Sequence, residues 1–230
     1  MKAVLLDIEG TTTPIDFVHK TLFPYAKARI GEFIRINYGS LAAEIEQIES
    51  ERAADADYPG RLDKASPDSI GGYLEYLIET DRKSTPLKSI QGRIWQTGYE
   101  SGELRSEVFG DVPRAFERWK SGGKTIAIYS SGSVLAQKLL FKYTGLGDLT
   151  PYISAYFDTA AGPKREAASY SRIAENLGFA PGDVLFISDV PAELDAALEA
   201  GFLTILSVRK GNRPVPGPSH PVIFSFEEVC

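Results

Sequence analysis

The sequence predicts an α/β protein: a parallel, doubly wound sheet from residues 1–13 and 108–230, interrupted after its first strand by a helical insertion at residues 14–107. Three observations carry this reading. Ala3-Val4-Leu5-Leu6 is an unbroken apolar run, as in a strand buried on both faces. From Val108 onward, strand-like apolar runs alternate with helical stripes. Between the two, about ninety residues show helical spacing with almost no strand signal.

The first strand delivers Asp7 to its carboxyl end, the edge at which open α/β sheets bind ligands. Gly10 lets the backbone turn away sharply. In the insertion, Pro24 suits a first helical turn, and Ala26, Ile30, Phe33 and Ile34 follow at helical spacing. Leu41, Ile45 and Ile48 mark a second helix. Ile70, Tyr73, Leu74, Leu77 and Ile78 mark a third, and Leu87, Ile90, Ile94 and Trp95 a fourth. Residues 53–67, rich in Ala, Asp and Pro, read as a loop.

Beyond the insertion, residues 113–120 form a helix stopped by Gly122-Gly123, and residues 125–129 a strand that ends at Ser130-Ser131-Gly132-Ser133. A helix at 134–143, a strand at 152–157 and a helix at 165–177 follow. Residues 184–187 are the next buried strand, 192–200 a helix closed by Gly201, and 203–208 a further strand. Four prolines from Pro214 to Pro221 make a coil before a last strand at 222–226. Right-handed crossovers bring every strand's carboxyl end to one edge. The insertion leaves from that edge, so it is expected to sit over the pocket as a lid.

Composition narrows the function classes. The formal net charge is −6 and no block of Lys and Arg makes a nucleic-acid footprint. The single cysteine, Cys230, allows no intrachain disulfide and suits a reducing, cytoplasmic setting. Four apolar residues before Asp7 are too few for a signal peptide, and no apolar run reaches membrane-spanning length. His19 and His220 lack metal-ligand spacing.

Residues two apart on an extended chain point the same way, so Asp7 and Glu9 face one pocket while Ile8 turns into the core. A carboxylate can attack phosphorus to form an acyl-phosphate, while a second protonates the leaving oxygen and later activates water. Taken alone, Asp7-Ile8-Glu9-Gly10 reads equally as a polar turn. Ser130 to Ser133 can cap the helix at Val134, Lys164 can be a surface charge, Asp189 can cap the helix near Ala192, and Glu193 can be helix surface. What favours chemistry is their joint placement at strand ends and loops on one edge.

Leu5-Leu6-Asp7-Ile8-Glu9-Gly10-Thr11, Ile128-Tyr129-Ser130-Ser131, Gly162-Pro163-Lys164 and Ser188-Asp189-Val190-Pro191-Ala192-Glu193 together resemble the motifs of the haloacid dehalogenase superfamily, in the same order. Glu9 departs from the superfamily's usual second Asp. With the Thr11-Thr12-Thr13-Pro14 that follows, it is similar to the enolase-phosphatases, or acireductone synthases. Gln91-Gly92-Arg93-Ile94-Trp95, the stretch from Tyr129 to Ser133 with Ala136 to Phe141, and Val208-Arg209-Lys210-Gly211-Asn212 resemble the same branch.

The resemblance implies a Rossmannoid phosphatase core with a helical cap. It implies methionine salvage: 2,3-diketo-5-methylthiopentyl-1-phosphate enolised, then dephosphorylated to the acireductone. Asp7 would be nucleophile and metal ligand. Glu9 would give the metal its backbone carbonyl and serve as acid/base. Ser130, Ser131 and Lys164 would bind phosphate, Asp189 would be the second metal carboxylate, and Glu193 would orient metal-bound water. Mg2+ is the expected cofactor, because unit charges about 4 Å apart repel by about 4 kcal/mol at an effective dielectric near 20, and Asp7, Asp189 and a phosphate dianion would converge. The expected partner is a small phosphorylated substrate, with no nucleic acid or membrane, on a monomer. The rival readings are a capped sugar-phosphate or phosphoglycolate phosphatase and a phosphoacceptor signalling module.

Overall fold

The computed structural model of the chain describes residues 1–80, 82–212, 214–217 and 219–229. Cys230, on which the disulfide argument rests, and Pro218 of the proline coil lie outside the described residues. Six strands form one sheet: β1 Ala3–Leu6, β2 Thr125–Tyr129, β3 Ile153–Phe157, β4 Val184–Ser188, β5 Leu203–Ser207 and β6 Val222–Ile223. Their order is β3-β2-β1-β4-β5-β6, and every neighbouring pair is parallel. Between β1 and β2 come α1 Ile15–Phe17, α2 Phe23–Asn37, α3 Ala42–Ala54, α4 Pro67–Glu79, α5 Thr85–Glu100 and α6 Val112–Ser121. Then α7 Val134–Lys142 follows β2, α8 Ala167–Leu177 follows β3, and α9 Pro191–Glu199 follows β4.

All four β1 residues are fully buried, which is why the run carries no polar alternation. Ala3 and Leu5 share one cluster with Tyr129, Phe186, Tyr170 and Ile173 of α8, and Leu194 and Ala197 of α9. Val4 and Leu6, on the alternate pleat, face the other way. There α6 packs on β2 and α7 on β3, and the Phe116 ring lies 6.2 Å from Trp119 and 6.0 Å from Phe141. Each such buried side chain stabilises the fold by about 1.5–3 kcal/mol.

Several ends differ from expectation by a few residues, and two of the differences have a clear cause. The last strand stops at Ile223 instead of reaching Phe226, because Glu228 Oε1 accepts the Phe224 and Ser225 N–H groups, each at 2.8 Å, and closes a helical turn at Phe226–Glu228. Helix α8 starts at Ala167 instead of 165. The residues before it are tied into a loop, where Ser169 Oγ donates to Pro163 O at 2.8 Å and Tyr170 Oη to Lys164 O at 2.7 Å.

The chain divides into two compact units, Met1–Val18 with Arg105–Cys230, and His19–Leu104. In the second, α2 and α4 approach closely at two glycines: a side-chain carbon on Gly71 would sit 3.2 Å from Gly31 Cα. Trp95 is buried, its Nε1 donating to Leu22 O at 2.9 Å. Arg52 ties down the loop after α3 by donating to Asp55 O and Gly60 O, while Arg82 pairs with buried Asp55 at 2.6 Å. Among the described residues, no helix is long and apolar enough to cross a membrane.

Candidate active site

In the sheet β1 lies between β2 and β4, so the residues that follow these three strands meet at one edge, where the connections diverge to either side. Leu6 pairs with Ile128 and with Ile187, and Asp7 N–H continues the ladder to Ile187 O at 3.0 Å. Register therefore sets Asp7 beside Ser188, whose Oγ is 3.0 Å from Asp7 Oδ2 and 3.1 Å from Glu193 Oε2. One hydroxyl proton serves two carboxylates. Asp7 is 2% exposed, and its Oδ1 accepts the Ile8 N–H at 2.8 Å.

The turn after Asp7 is compact. Thr11, Thr12 and Thr13 all direct their N–H groups at Ile8 O, and all three are fully buried, as is Ile8 very nearly. Gly10 has φ of 71°, and a side-chain carbon there would overlap the Asp189 carboxylate, so only glycine lets the two strand ends close up.

Lys164 comes from the loop after β3. Gly162, with φ of 124°, has no room for a side chain against Ser169 and Arg172, and its carbonyl accepts from Tyr129 Oη at 2.8 Å. With the two bonds from α8 already described, this aims the lysine inward. Its Nζ lies 2.6 Å from Asp7 Oδ1 and 2.6 Å from Glu193 Oε2, with the side chain 11% exposed.

Ser130 is buried behind β2; its Oγ accepts the Gly132 N–H at 3.1 Å and it hydrogen-bonds Glu9. Ser131, next to it, is exposed. Ser133 is the residue that caps α7, accepting the Ala136 N–H at 3.3 Å. Gln137 braces this loop from below by donating to Gly132 O and Phe157 O, each at 2.8 Å.

The carboxyl groups are crowded. Burial first, and the Asp7 charge second, push half-buried Glu9 above the ordinary carboxylate range, against the opposing pull of Lys164. Burial, then Asp7 and Glu193, push Asp189 up to about 7. Burial and Asp7 push Glu193 up to about 7 as well, although Lys164 and Ser188 hold it down. Burial works against the Lys164 charge, but Asp7 and Glu193 outweigh it and raise its pKa.

This arrangement fits a hard divalent cation. Asp7 and Asp189 offer two carboxylates at neighbouring strand ends, and Gly10 leaves Asp189 seated against the bare backbone beside Glu9. Among the described residues, no three His, Cys, Asp or Glu side chains form a closed metal cage. One or two carboxylates are the share a protein gives Mg2+, which keeps several waters and takes substrate oxygens.

Of the residues singled out in the sequence, Asp7, Glu9, Ser130, Lys164, Asp189 and Glu193 come together at this edge. Lys164 and Glu193 are buried partners, not surface charges, and Asp189 makes no capping bond to α9. Ser188 received no role from sequence. Its register opposite Asp7 was the available signal, and it needs the β1–β4 pairing to be read. Asn212, at the end of the Val208–Asn212 stretch, donates from Nδ2 to Gly10 O at 2.9 Å.

A family model described as haloacid dehalogenase-like hydrolase matches residues 1–201. Enolase-phosphatase E1 of Leptospira borgpetersenii serovar Hardjo-bovis is 55% identical over 224 residues, spanning 97% of this chain and 96% of that protein. The chain belongs to the haloacid dehalogenase-like hydrolases, in the enolase-phosphatase family. Enolase-phosphatase E1 of Synechococcus elongatus is 53% identical over 232 residues, covering 98% of this chain and 96% of the relative. The crystal structure of the UTR4 protein of Saccharomyces cerevisiae matches with a TM-score of 0.81 at 37% identity, over 99% of both chains. CbbY from Rhodobacter sphaeroides, in complex with phosphate, matches over 99% of this chain and 96% of its own, with a TM-score of 0.59 at 17% identity, and so shares the fold alone.

Proposed function

We propose that the chain is a Mg2+-dependent enolase-phosphatase that converts 2,3-diketo-5-methylthiopentyl-1-phosphate to 1,2-dihydroxy-3-keto-5-methylthiopentene and phosphate, in methionine salvage. The observation that carries the phosphatase half is Asp7, buried at the end of β1 with Lys164 Nζ at 2.6 Å and Asp189 and Glu193 around it. The enolase half, and the preference over a sugar-phosphate or phosphoglycolate phosphatase or a phosphoacceptor module, are supported by relatives at 53–55% identity over nearly the whole chain.

A carboxylate oxygen of Asp7 forms the bond to phosphorus as the ester P–O bond breaks, giving an aspartyl-phosphate. Lys164 holds Asp7 in place and faces the phosphoryl charge, and Ser130 and Ser131 receive phosphoryl oxygens. Glu9, whose pKa is raised by burial, holds the proton that the leaving oxygen takes. Deprotonated by that step, it accepts a proton from the water that attacks phosphorus, releasing phosphate and free Asp7. Asp7, Asp189 and the Glu9 carbonyl would hold Mg2+, with Glu193 orienting its water. When bound, the cation neutralises phosphoryl charge and polarises the substrate carbonyl next to the carbon that loses its proton.

Residues 14–107 serve as the cap in this reading, inserted directly after the loop that carries the nucleophile. The enzyme works as a monomer in the cytoplasm, where a charged phosphate ester is retained. The test is phosphate release from the diketo phosphate with and without Mg2+, while enol absorbance is followed. Both signals are expected, and Asp7→Asn should lose phosphate release while still melting cooperatively as a folded protein. Release only from other esters, or turnover in Asp7→Asn, would overturn the proposal.

A further inference from the structure

Asn212 follows β5, and its amide nitrogen joins two strand-end segments: Nδ2 donates to Gly10 O at 2.9 Å and to Ser207 O at 3.2 Å. Two carbonyl acceptors fix which end of the amide carries nitrogen. Oδ1 then points the other way. It is buried, and among the described residues no donor reaches it.

Its surroundings say what it faces. Oδ1 lies 3.0 Å from the point where a side-chain carbon on Gly10 would project, and the Asp189 carboxylate crowds that same point. A neutral acceptor and a carboxylate thus share one face of the turn that carries Glu9. A buried amide oxygen without a donor, set beside a carboxylate, suits a polarised donor shared between the two, such as water on a cation.

We infer that Asn212 is an outer-sphere ligand of the divalent cation, its Oδ1 accepting a hydrogen bond from a water bound to the metal. This rests on the proposal that Asp7 and Asp189 hold that cation. Mg2+ keeps several waters, and each presents two strongly polarised O–H groups that need oriented acceptors. Asn212 supplies one without adding charge to a site where burial and neighbouring carboxylates already oppose ionisation. Because the same amide grips Gly10 O, it also ties the water's acceptor to the turn that presents the Glu9 carbonyl.

The experiment is calorimetric titration of Mg2+, repeated with Mn2+, into the wild-type chain, Asn212→Ala, Asn212→Asp and Asp189→Asn without substrate. Melts in EDTA establish that each variant is folded. Asn212→Ala is expected to weaken the cation by about 10-fold or more, the usual effect of a lost outer-shell partner. Asn212→Asp keeps an oxygen at the same place and adds a negative charge, so it should bind at least as tightly as wild type although it loses the Nδ2 bonds. Wild-type affinity in Asn212→Ala, or equal weakening in both Asn212 variants, would overturn the inference and leave Asn212 a brace for the turn. If Asn212→Ala does not fold, Asn212→Ser replaces it under the same criteria. Wild-type protein that binds no cation, or Asp189→Asn that binds as wild type does, would instead sink the cation reading itself.

Discussion

Asp189→Asn should stabilise the cation-free protein while destroying its response to Mg2+. Asp189 is half-buried, and burial together with the charges on Asp7 and Glu193 pushes its pKa from 3.8 up to about 7. A folded-state pKa above the unfolded value means the wild type loses stability as pH rises from about 4 through 7, because the folded chain must give up a proton it holds tightly. The distance from 3.8 to about 7, at about 1.4 kcal/mol per pH unit, sets a ceiling near 4 kcal/mol. Screening at a partly exposed group leaves about 1–3 kcal/mol. For a chain of this size that is roughly 2–4 °C in Tm per kcal/mol.

The assay is thermal melting of both proteins in EDTA at pH 5 and pH 8, then at pH 8 with Mg2+. The variant should melt higher than wild type in EDTA at pH 8 and by a much smaller margin at pH 5. Mg2+ at about 100 times its Kd should add about 2.7 kcal/mol to the wild type and nothing to the variant, which removes most or all of the variant's lead. A variant no more stable than wild type at pH 8, or equally favoured at both pH values, would refute the account of charge crowding at this edge.

Three further outcomes follow from the same geometry. Glu9→Gln should slow turnover by about 10²–10⁴-fold with binding of Mg2+ retained, since only the acid/base function is removed; an unchanged steady-state rate would move that role to another group. Lys164→Ala removes the cation between Asp7 and Glu193, both 2.6 Å away. Loss of one member of a buried pair costs about 3–5 kcal/mol, so weaker phosphate inhibition, slower turnover and a lower Tm are all expected, and near-normal kinetics would contradict the lysine's role. Gly71→Ala puts a methyl 3.2 Å from Gly31 Cα in the helical unit. Overpacking there should cost about 1–3 kcal/mol, seen in chemical denaturation, and a neutral effect would mean that the α2–α4 crossing yields easily.

Much of this was legible in the residues. The continuous burial of Ala3–Leu6 follows from a run without polar alternation, and helices α2 to α5 of the insertion follow from stripes at 3.6-residue spacing, whereas the single turn of α1 has no such stripe. The helical end of the chain was not legible, because the Glu228 side chain takes the N–H groups that a longer β6 would have used. Lys164 and Glu193 looked like ordinary surface charges by type, and only their pairing shows why they are buried.

By itself, then, the sequence determined which residues could serve: a carboxylate at the end of an apolar strand, a glycine where the chain must turn, and polar side chains at the ends of later strands. These depend on local rules of period, propensity and turn geometry. Tertiary structure alone decided which of them share charge. Ser188 stands beside Asp7 because β4 pairs with β1 in one register, and Asn212 reaches Gly10 because β5 lies one strand further on. Those distances are set by strand order, which the chain acquires only when segments almost two hundred residues apart pack into one sheet.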